Sequence, residues 1–285
     1  MMSSSFNGGI DTVISVDEVA RQARALARGV PLQQLEALAG PDPALQIDDL
    51  CAGYGQMEIL HSFNLRVGRG QCLCLIGPNG AGKSTVLHSI FGFTTIYSGS
   101  IRTNLGSGNG RTDVTHLSPN QKLRSAGIAY ILQDKSVFPN MTVEENLWMG
   151  AFLMQRPTEA KLAAERVFDR YPRLAARRKH PAKVLSGGER RLLEISRALV
   201  MDPKVLLVDE PSIGLEPRFI DMVFEILGDL QHKEGKTIVI VEQNAKKGLE
   251  FADIGYVVVS GELAIAGKAQ ELLADPDVGR LFLGG

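Results

Sequence analysis

Short apolar runs alternate along this chain with stretches whose apolar residues recur at helical spacing. The runs at 72–76, 128–132, 205–208 and 237–241 are dominated by Val, Ile and Leu, the length and make-up of strands buried on both faces. After the first comes a helical face of Val86, Leu87, Ile90 and Phe91; before the third comes another of Leu192, Leu193, Ile195, Ala198 and Leu199. Strand and helix in alternation predict an open, mostly parallel α/β sheet, since parallel neighbours need a crossover long enough to hold a helix. Residues 45–50 and 58–67 also read as strands, ahead of the turn Gly68-Arg69-Gly70. Between Thr142 and Met201 no strand pattern occurs, which predicts a helical subdomain over about 134–200. Near the end, 256–260 and 263–266 flank Gly261-Glu262 as a hairpin, and a helix at 269–274 stops before Pro276.

The first 44 residues read differently. Residues 1–9 are rich in Ser and Gly and read as disordered. Ser15-Val16-Asp17-Glu18 forms a capping box ahead of Val19, Ala20, Ala23, Leu26 and Ala27 at helical spacing. Pro31 interrupts, a short helix is expected at 32–38, and Gly40-Pro41-Asp42-Pro43 reads as a linker. The expectation is an appended segment, 1–44, ahead of a main domain over 45–285.

Composition narrows the function classes. Hydrophobic residues make up 44% and charged residues 22% of the 285, a soluble globular mixture. With 31 basic and 32 acidic residues, no global field recruits nucleic acid or anionic lipid. The basic cluster Arg173, Arg177, Arg178, Lys179, His180 and Lys183 has no interleaved aromatics for base stacking and reads as a solvated face. Cys72 and Cys74 alternate along one apolar run, short of a four-ligand zinc spacing, and read as buried thiols in a reducing compartment. No apolar stretch approaches the roughly 18 to 20 residues that span a bilayer, and residues 1–10 lack a secretory pattern. Membrane contact is therefore expected only through a partner.

The strongest chemical signal is Gly77-Pro78-Asn79-Gly80-Ala81-Gly82-Lys83-Ser84-Thr85, a P-loop between a buried strand and a helix. Its glycines let backbone N–H groups approach phosphate oxygens at a helix N-terminus, where partial positive charge collects. Lys83 is the candidate for the β and γ phosphates of ATP, and Ser84 for Mg²⁺. A second signal is the run 205–208 ending in Asp209-Glu210, which sets two acids at the strand tip where open α/β sheets bind ligands. Asp209 is the candidate for the metal shell and Glu210 for the general base. A third is Leu185-Ser186-Gly187-Gly188-Glu189 before a helix, which alone could be a plain N-cap.

In the order P-loop, Ser-Gly-Gly, Asp-Glu, the chain resembles the ABC transporter ATPase family over about 45–283. The resemblance implies a P-loop NTPase fold of ABC type: a mostly parallel central sheet, an antiparallel β subdomain and a helical signature subdomain. It implies that Tyr54 stacks on adenine, that Gln133 touches Mg²⁺ and senses membrane subunits, and that Ser186, Gly187, Gly188 and Glu189 contact nucleotide. Two positions depart from the general pattern. Gln243 stands where a histidine usually contacts the γ-phosphate, and Glu216 stands where an aspartate is common. An amide can donate a hydrogen bond but carries no proton through neutral pH. Together with Val137-Phe138-Pro139-Asn140 and Tyr171-Pro172-Arg173-Leu174, the text Val241-Glu242-Gln243-Asn244-Ala245 is similar to the second ATPase subunit of branched-chain amino acid importers and related urea or amide importers.

That likeness implies a head-to-tail dimer with a second ATPase subunit or a second copy. It also implies two transmembrane permease subunits, a place at the cytoplasmic face of the cell membrane, and an indirect link to an extracytoplasmic solute-binding protein. Two rivals are a soluble ABC-type ATPase free of any transporter and a regulatory module that binds nucleotide without hydrolysis. Intact Lys83, Asp209 and Glu210 weigh against the second.

Overall fold

A computed structural model describes residues 29–105, 110–133 and 136–283. The helix expected after Ser15 and the Ser- and Gly-rich start lie outside these residues. Two sheets form the body. The larger has the order β10-β9-β3-β8-β7-β6, built from β3 (Cys72–Ile76), β6 (Ile128–Ile131), β7 (Val205–Asp209), β8 (Thr237–Val241), β9 (Ile254–Val259) and β10 (Glu262–Lys268). All neighbours are parallel except β10, which closes the predicted hairpin. Registers Leu75↔Val241, Asp209↔Val241 and Ile131↔Val208 align the carboxyl ends of β3, β8, β7 and β6 along one edge. Every motif picked out for chemistry from Gly77 to Gln133, Asp209, Glu210 and Gln243 leaves the sheet there.

The smaller sheet is antiparallel, in the order β2-β1-β4-β5, from β1 (Pro43–Tyr54), β2 (Met57–Gly68), β4 (Thr95–Thr103) and β5 (Thr112–Asp113). The sequence pattern missed β4, whose middle reads Ser98-Gly99-Ser100 and lacks apolar alternation. A bulge explains the lapse: Asp49 takes φ 44°, and a Cβ on Gly99 would lie 2.5 Å from the carbonyl oxygens of Asp48 and Asp49.

Because the central strands are buried on both faces, they split into two cores. Leu73, Leu75, Leu207, Val239 and Val241 pack toward the antiparallel sheet and toward Val86, Leu87 and Ile90 of α2 (Lys83–Phe91). Cys72, Cys74, Ile76, Leu206 and Ile240 face α8 (Pro217–His232), α9 (Ala245–Phe251) and the C-terminal helices α10 (Ala269–Ala274) and α11 (Pro276–Phe282). A third core belongs to the helices α4 (Val143–Gly150), α5 (Pro157–Arg170), α6 (Pro172–Ala176) and α7 (Gly187–Leu199), around Val143, Leu147, Phe168 and Leu193. The basic cluster beside these helices is a largely solvated face, as expected, with Arg173, Arg177, Lys179, His180 and Lys183 exposed, and part of it is paired locally: Arg178 with Glu144 and Glu165, and Lys179 with Glu144. A last helix, α3 (Pro119–Arg124), packs beside β6. Among the described residues no helix is long and apolar enough to cross a membrane.

The expected boundary before Leu45 shifts. Pro43 and Ala44 already belong to β1, with Pro43 opposite Gly68. Helix α1 (Leu32–Ala39) buries Leu35 completely in the first core. Gln34 donates to the Ala266 carbonyl at 2.7 Å, and Gln71 to that of Leu38 at 3.0 Å. Leu35, Leu38 and Ala39 lie at i, i+3 and i+4, so an eight-residue helix too short to persist alone is held by packing.

Candidate functional site

The P-loop joins β3 to α2 in a left-handed path. At Gly77, φ is 143° and a Cβ would sit 2.1 Å from the Val258 carbonyl oxygen, so only glycine lets the loop lie against β9. At Gly80, φ is 78° and a Cβ would meet nothing within 4 Å, which leaves that stretch of backbone open to a ligand. Lys83 opens α2 and folds back on its own loop, with Nζ donating to the carbonyls of Gly77 and Pro78 at 2.9 Å each. Burial pulls its ammonium below the usual lysine range, opposed by the charges of Glu210 and Asp209. A cleft of about 280 Å³ is bounded by Asn79, Gly80, Lys83, Ser84, Ile59 and Glu210.

Asp209 ends β7 with both carboxylate oxygens engaged. Ser84 Oγ donates to Oδ1 at 3.1 Å and Tyr130 donates its hydroxyl to Oδ2 at 2.7 Å. The sequence carried no sign of Tyr130, because its role arises only when β6 and β7 pair with Tyr130 opposite Leu207. Ser84 and Asp209 thus set a hydroxyl and a carboxylate side by side, the hard oxygen donors that Mg²⁺ prefers. Among the described residues no group of three or more His, Cys, Asp or Glu side chains could hold a metal by itself. A hydroxyl and one carboxylate supply two oxygens, which suits a cation that takes the rest of its shell from phosphate oxygens and water.

Glu210 follows with φ 42°, a left-handed backbone rare outside glycine, while its N–H still donates to the Val241 carbonyl at 2.9 Å. Its carboxyl is raised above the usual range, first by burial, then by neighbouring Asp209, against the pull of Lys83. A carboxylate so placed has gained proton affinity, as a general base requires. Gln133, the residue expected to touch Mg²⁺, donates from Nε2 to Glu210 Oε2 at 2.9 Å.

Tyr54 closes β1 half-exposed at the side of the site, its hydroxyl 2.5 Å from His88 Nδ1. Gln243 is exposed just past β8, and no hydrogen bond forms from its side chain among the described residues. Its neighbour Glu242 is the buried one. It accepts from Ser212 N at 3.1 Å and Ser212 Oγ at 2.8 Å, tying the end of β8 to the loop after Glu210. Glu216 is the N-cap residue of α8 and pairs with Arg218 at 3.0 Å.

Ser186 caps the start of α7 and, beyond the plain N-cap read from the sequence, forms a capping box with Glu189: Ser186 N donates to Glu189 Oε2 at 2.9 Å, and Glu189 N to Ser186 Oγ at 3.3 Å. Gly188 packs so tightly on α8 that a Cβ would come within 2.2 Å of the Phe219 ring. These residues border a separate cleft with Arg177, Phe219 and Met222, and none lines the P-loop cleft of the same chain.

A family model described as ABC transporter matches residues 60–213. The chain is 39% identical to LivF of Archaeoglobus fulgidus, named a probable branched-chain amino acid transport ATP-binding protein, across 82% of this chain and 96% of that one. It is 38% identical to BraG of Pseudomonas aeruginosa, named a high-affinity branched-chain amino acid transport ATP-binding protein, across 85% and 100%. It is 29% identical to LptB of Haemophilus influenzae, a lipopolysaccharide export system ATP-binding protein, across 84% and 97%. Among solved structures, an ABC transporter ATP-binding cassette in its ADP conformation matches with a TM-score of 0.72 at 27% identity, across 85% of this chain and 98% of that one.

Proposed function

The chain belongs to the ABC transporter family of ATP-binding subunits, ATPases whose hydrolysis is coupled to transport, and from that premise we propose that it powers an importer of branched-chain amino acids or a related small polar solute. The observation that carries the site reading is the meeting of Lys83, Ser84, Asp209 and Glu210 at one sheet edge. Lys83 and the N–H groups of residues 77–85 bind the phosphates, with Lys83 leaving its loop carbonyls for the β and γ oxygens. Ser84 and Asp209 hold Mg²⁺, which when bound neutralises charge on the phosphates. Glu210 takes a proton from the attacking water, and Tyr54 stacks on the adenine. Gln243 lies past the end of β8 as the candidate donor to the γ-phosphate.

Ser186, Gly187, Gly188 and Glu189 stand outside their own chain's P-loop cleft. In this reading they cap the nucleotide bound by a second ATPase subunit in a head-to-tail dimer. ATP binding closes the pair and hydrolysis reopens it, which moves two permease subunits at the cytoplasmic face of the membrane. Names of the relatives support the solute class.

Uptake of labelled leucine, in cells lacking this chain and complemented with wild type or Lys83→Ala, tests the proposal. Restoration by the wild type alone supports it. Equal uptake with and without the chain, beside intact ATPase activity in the purified protein, would remove the amino-acid importer and leave the ATPase.

A further inference from the structure

His88 lies one turn beyond Ser84 on α2, so the two share a face of the helix that starts at the P-loop. Its ring is walled on two sides, by Phe93 edge-on and Tyr130 tilted, each with centroids 5.7 Å away. Phe91 stacks on Tyr130 at 5.6 Å and meets Phe93 at 5.0 Å, which closes the aromatic box. The backbone is fixed as well, since the N–H groups of Gly92 and Phe93 both donate to the His88 carbonyl at 2.8 Å. A ring so enclosed has one polar edge turned outward, and Nδ1 on that edge meets the Tyr54 hydroxyl. Tyr54 itself is 43% exposed at the end of a hairpin strand and packs edge-on to His88 at 6.1 Å. Without an anchor, an exposed phenol samples several rotamers and loses that freedom when a ligand stacks on it.

We propose that His88 is the positioning residue of the nucleobase site: it ties down the Tyr54 hydroxyl so that the ring stands preset for a planar base. The inference rests on the reading of Tyr54 as the base platform. Through Tyr130, which donates to Asp209, the same box also touches the metal side of the site. The base end and the phosphate end of the cleft therefore share one rigid wall.

The test uses the purified full chain and two ligands that differ only in the base and sugar: ATP and inorganic tripolyphosphate. Tyr54→Ala should weaken ATP binding about 5- to 150-fold, as loss of stacking predicts. Tyr54→Phe, which keeps the ring, and His88→Ala should each weaken ATP about 2- to 10-fold, the size of one lost hydrogen bond. The double variant should be no worse than either single, because both remove the same contact. His88→Asn, which can still bond to a phenol, should recover part of the loss. Tripolyphosphate binding should be unchanged in every variant, and in the His88 variants KM for ATP should rise more than kcat falls. If Tyr54→Ala leaves ATP binding intact, the base-platform reading fails and takes the inference with it. If Tyr54→Ala weakens binding but Tyr54→Phe and His88→Ala do not, the platform stands and the tether is wrong. Weakened tripolyphosphate binding in the His88 variants would make His88 a general structural residue and overturn the proposal. Should His88→Ala fail to fold, Tyr54→Phe alone, which removes one half-exposed hydroxyl, decides between the last outcomes.

Discussion

Gln133 donates from its amide to Glu210 across 2.9 Å, so the loop after β6 is fastened to the proposed base. The contact stabilises a charged Glu210, because an amide donor favours the ionised acceptor. Gln133→Glu would place a second carboxylate at the same distance, and two carboxylates so close cannot both ionise near neutral pH. ATP turnover in that variant should fall at least about tenfold at pH 7 and recover partly as pH rises. Turnover against pH for the two proteins checks this. An unchanged profile would show that Gln133 does not hold Glu210 during hydrolysis.

Ser84 and Asp209 lie 3.1 Å apart and are assigned to the metal. Removing Mg²⁺ with a chelator should abolish turnover, since the metal stabilises charge that develops on the phosphates. Ser84→Ala should raise the Mg²⁺ concentration for half-maximal turnover about tenfold or more, because one hard oxygen is lost. A Mg²⁺ titration at fixed ATP reads the shift. No shift would place the metal on other oxygens.

Leu35 is fully buried between the antiparallel sheet and the hairpin strand β10. Leu35→Ala should destabilise the protein by about 2–5 kcal/mol, the range for a buried leucine cut back to alanine. Urea unfolding followed by circular dichroism measures it. A loss under about 0.5 kcal/mol, the size of an ordinary surface change, would return α1 to the status of an appendage.

Lys122 is buried with its ammonium donating to the Ser89 carbonyl at 3.2 Å. Burial pushes it from the usual 10.5 down to about 8, with Asp113 opposing weakly. Between those values the unfolded chain keeps the proton and the folded chain has lost it, so stability contributed here rises with pH. Below about pH 8 both states are protonated and the full cost of the buried charge is present. Lys122→Met should therefore raise the urea midpoint at pH 7, with a smaller gain at pH 10. Equal gains at both values would mean that the lysine is not perturbed.

What the sequence revealed and what it hid divide along a physical line. The P-loop, Asp209-Glu210 and the Ser186-Gly187-Gly188 turn before a helix are local texts, each legible because its chemistry needs residues a few positions apart. The parallel strands were legible because burial on both faces leaves an unbroken apolar run. Strand β4 was hidden by polar residues at its bulge, whereas helix α1 was expected at 32–38 and only its packing into the main core was hidden, behind the glycine and prolines that read as a linker. Tyr130, His88 and Glu242 were hidden for another reason. Their partners lie 79, 34 and 30 positions away in Asp209, Tyr54 and Ser212, so only strand pairing and helix packing bring them together.

Everything proposed for the site turns on Glu210 as the base that takes a proton from the attacking water. Glu210→Gln keeps the shape of the side chain and removes its capacity to take a proton. Steady-state Mg²⁺-ATP turnover of wild type and Glu210→Gln, measured beside ATP binding, is the direct test. Binding should persist, turnover should fall about 10²- to 10⁴-fold and ATP-bound dimers should accumulate. Turnover near the wild-type rate, with ATP bound as before, would contradict that role for Glu210.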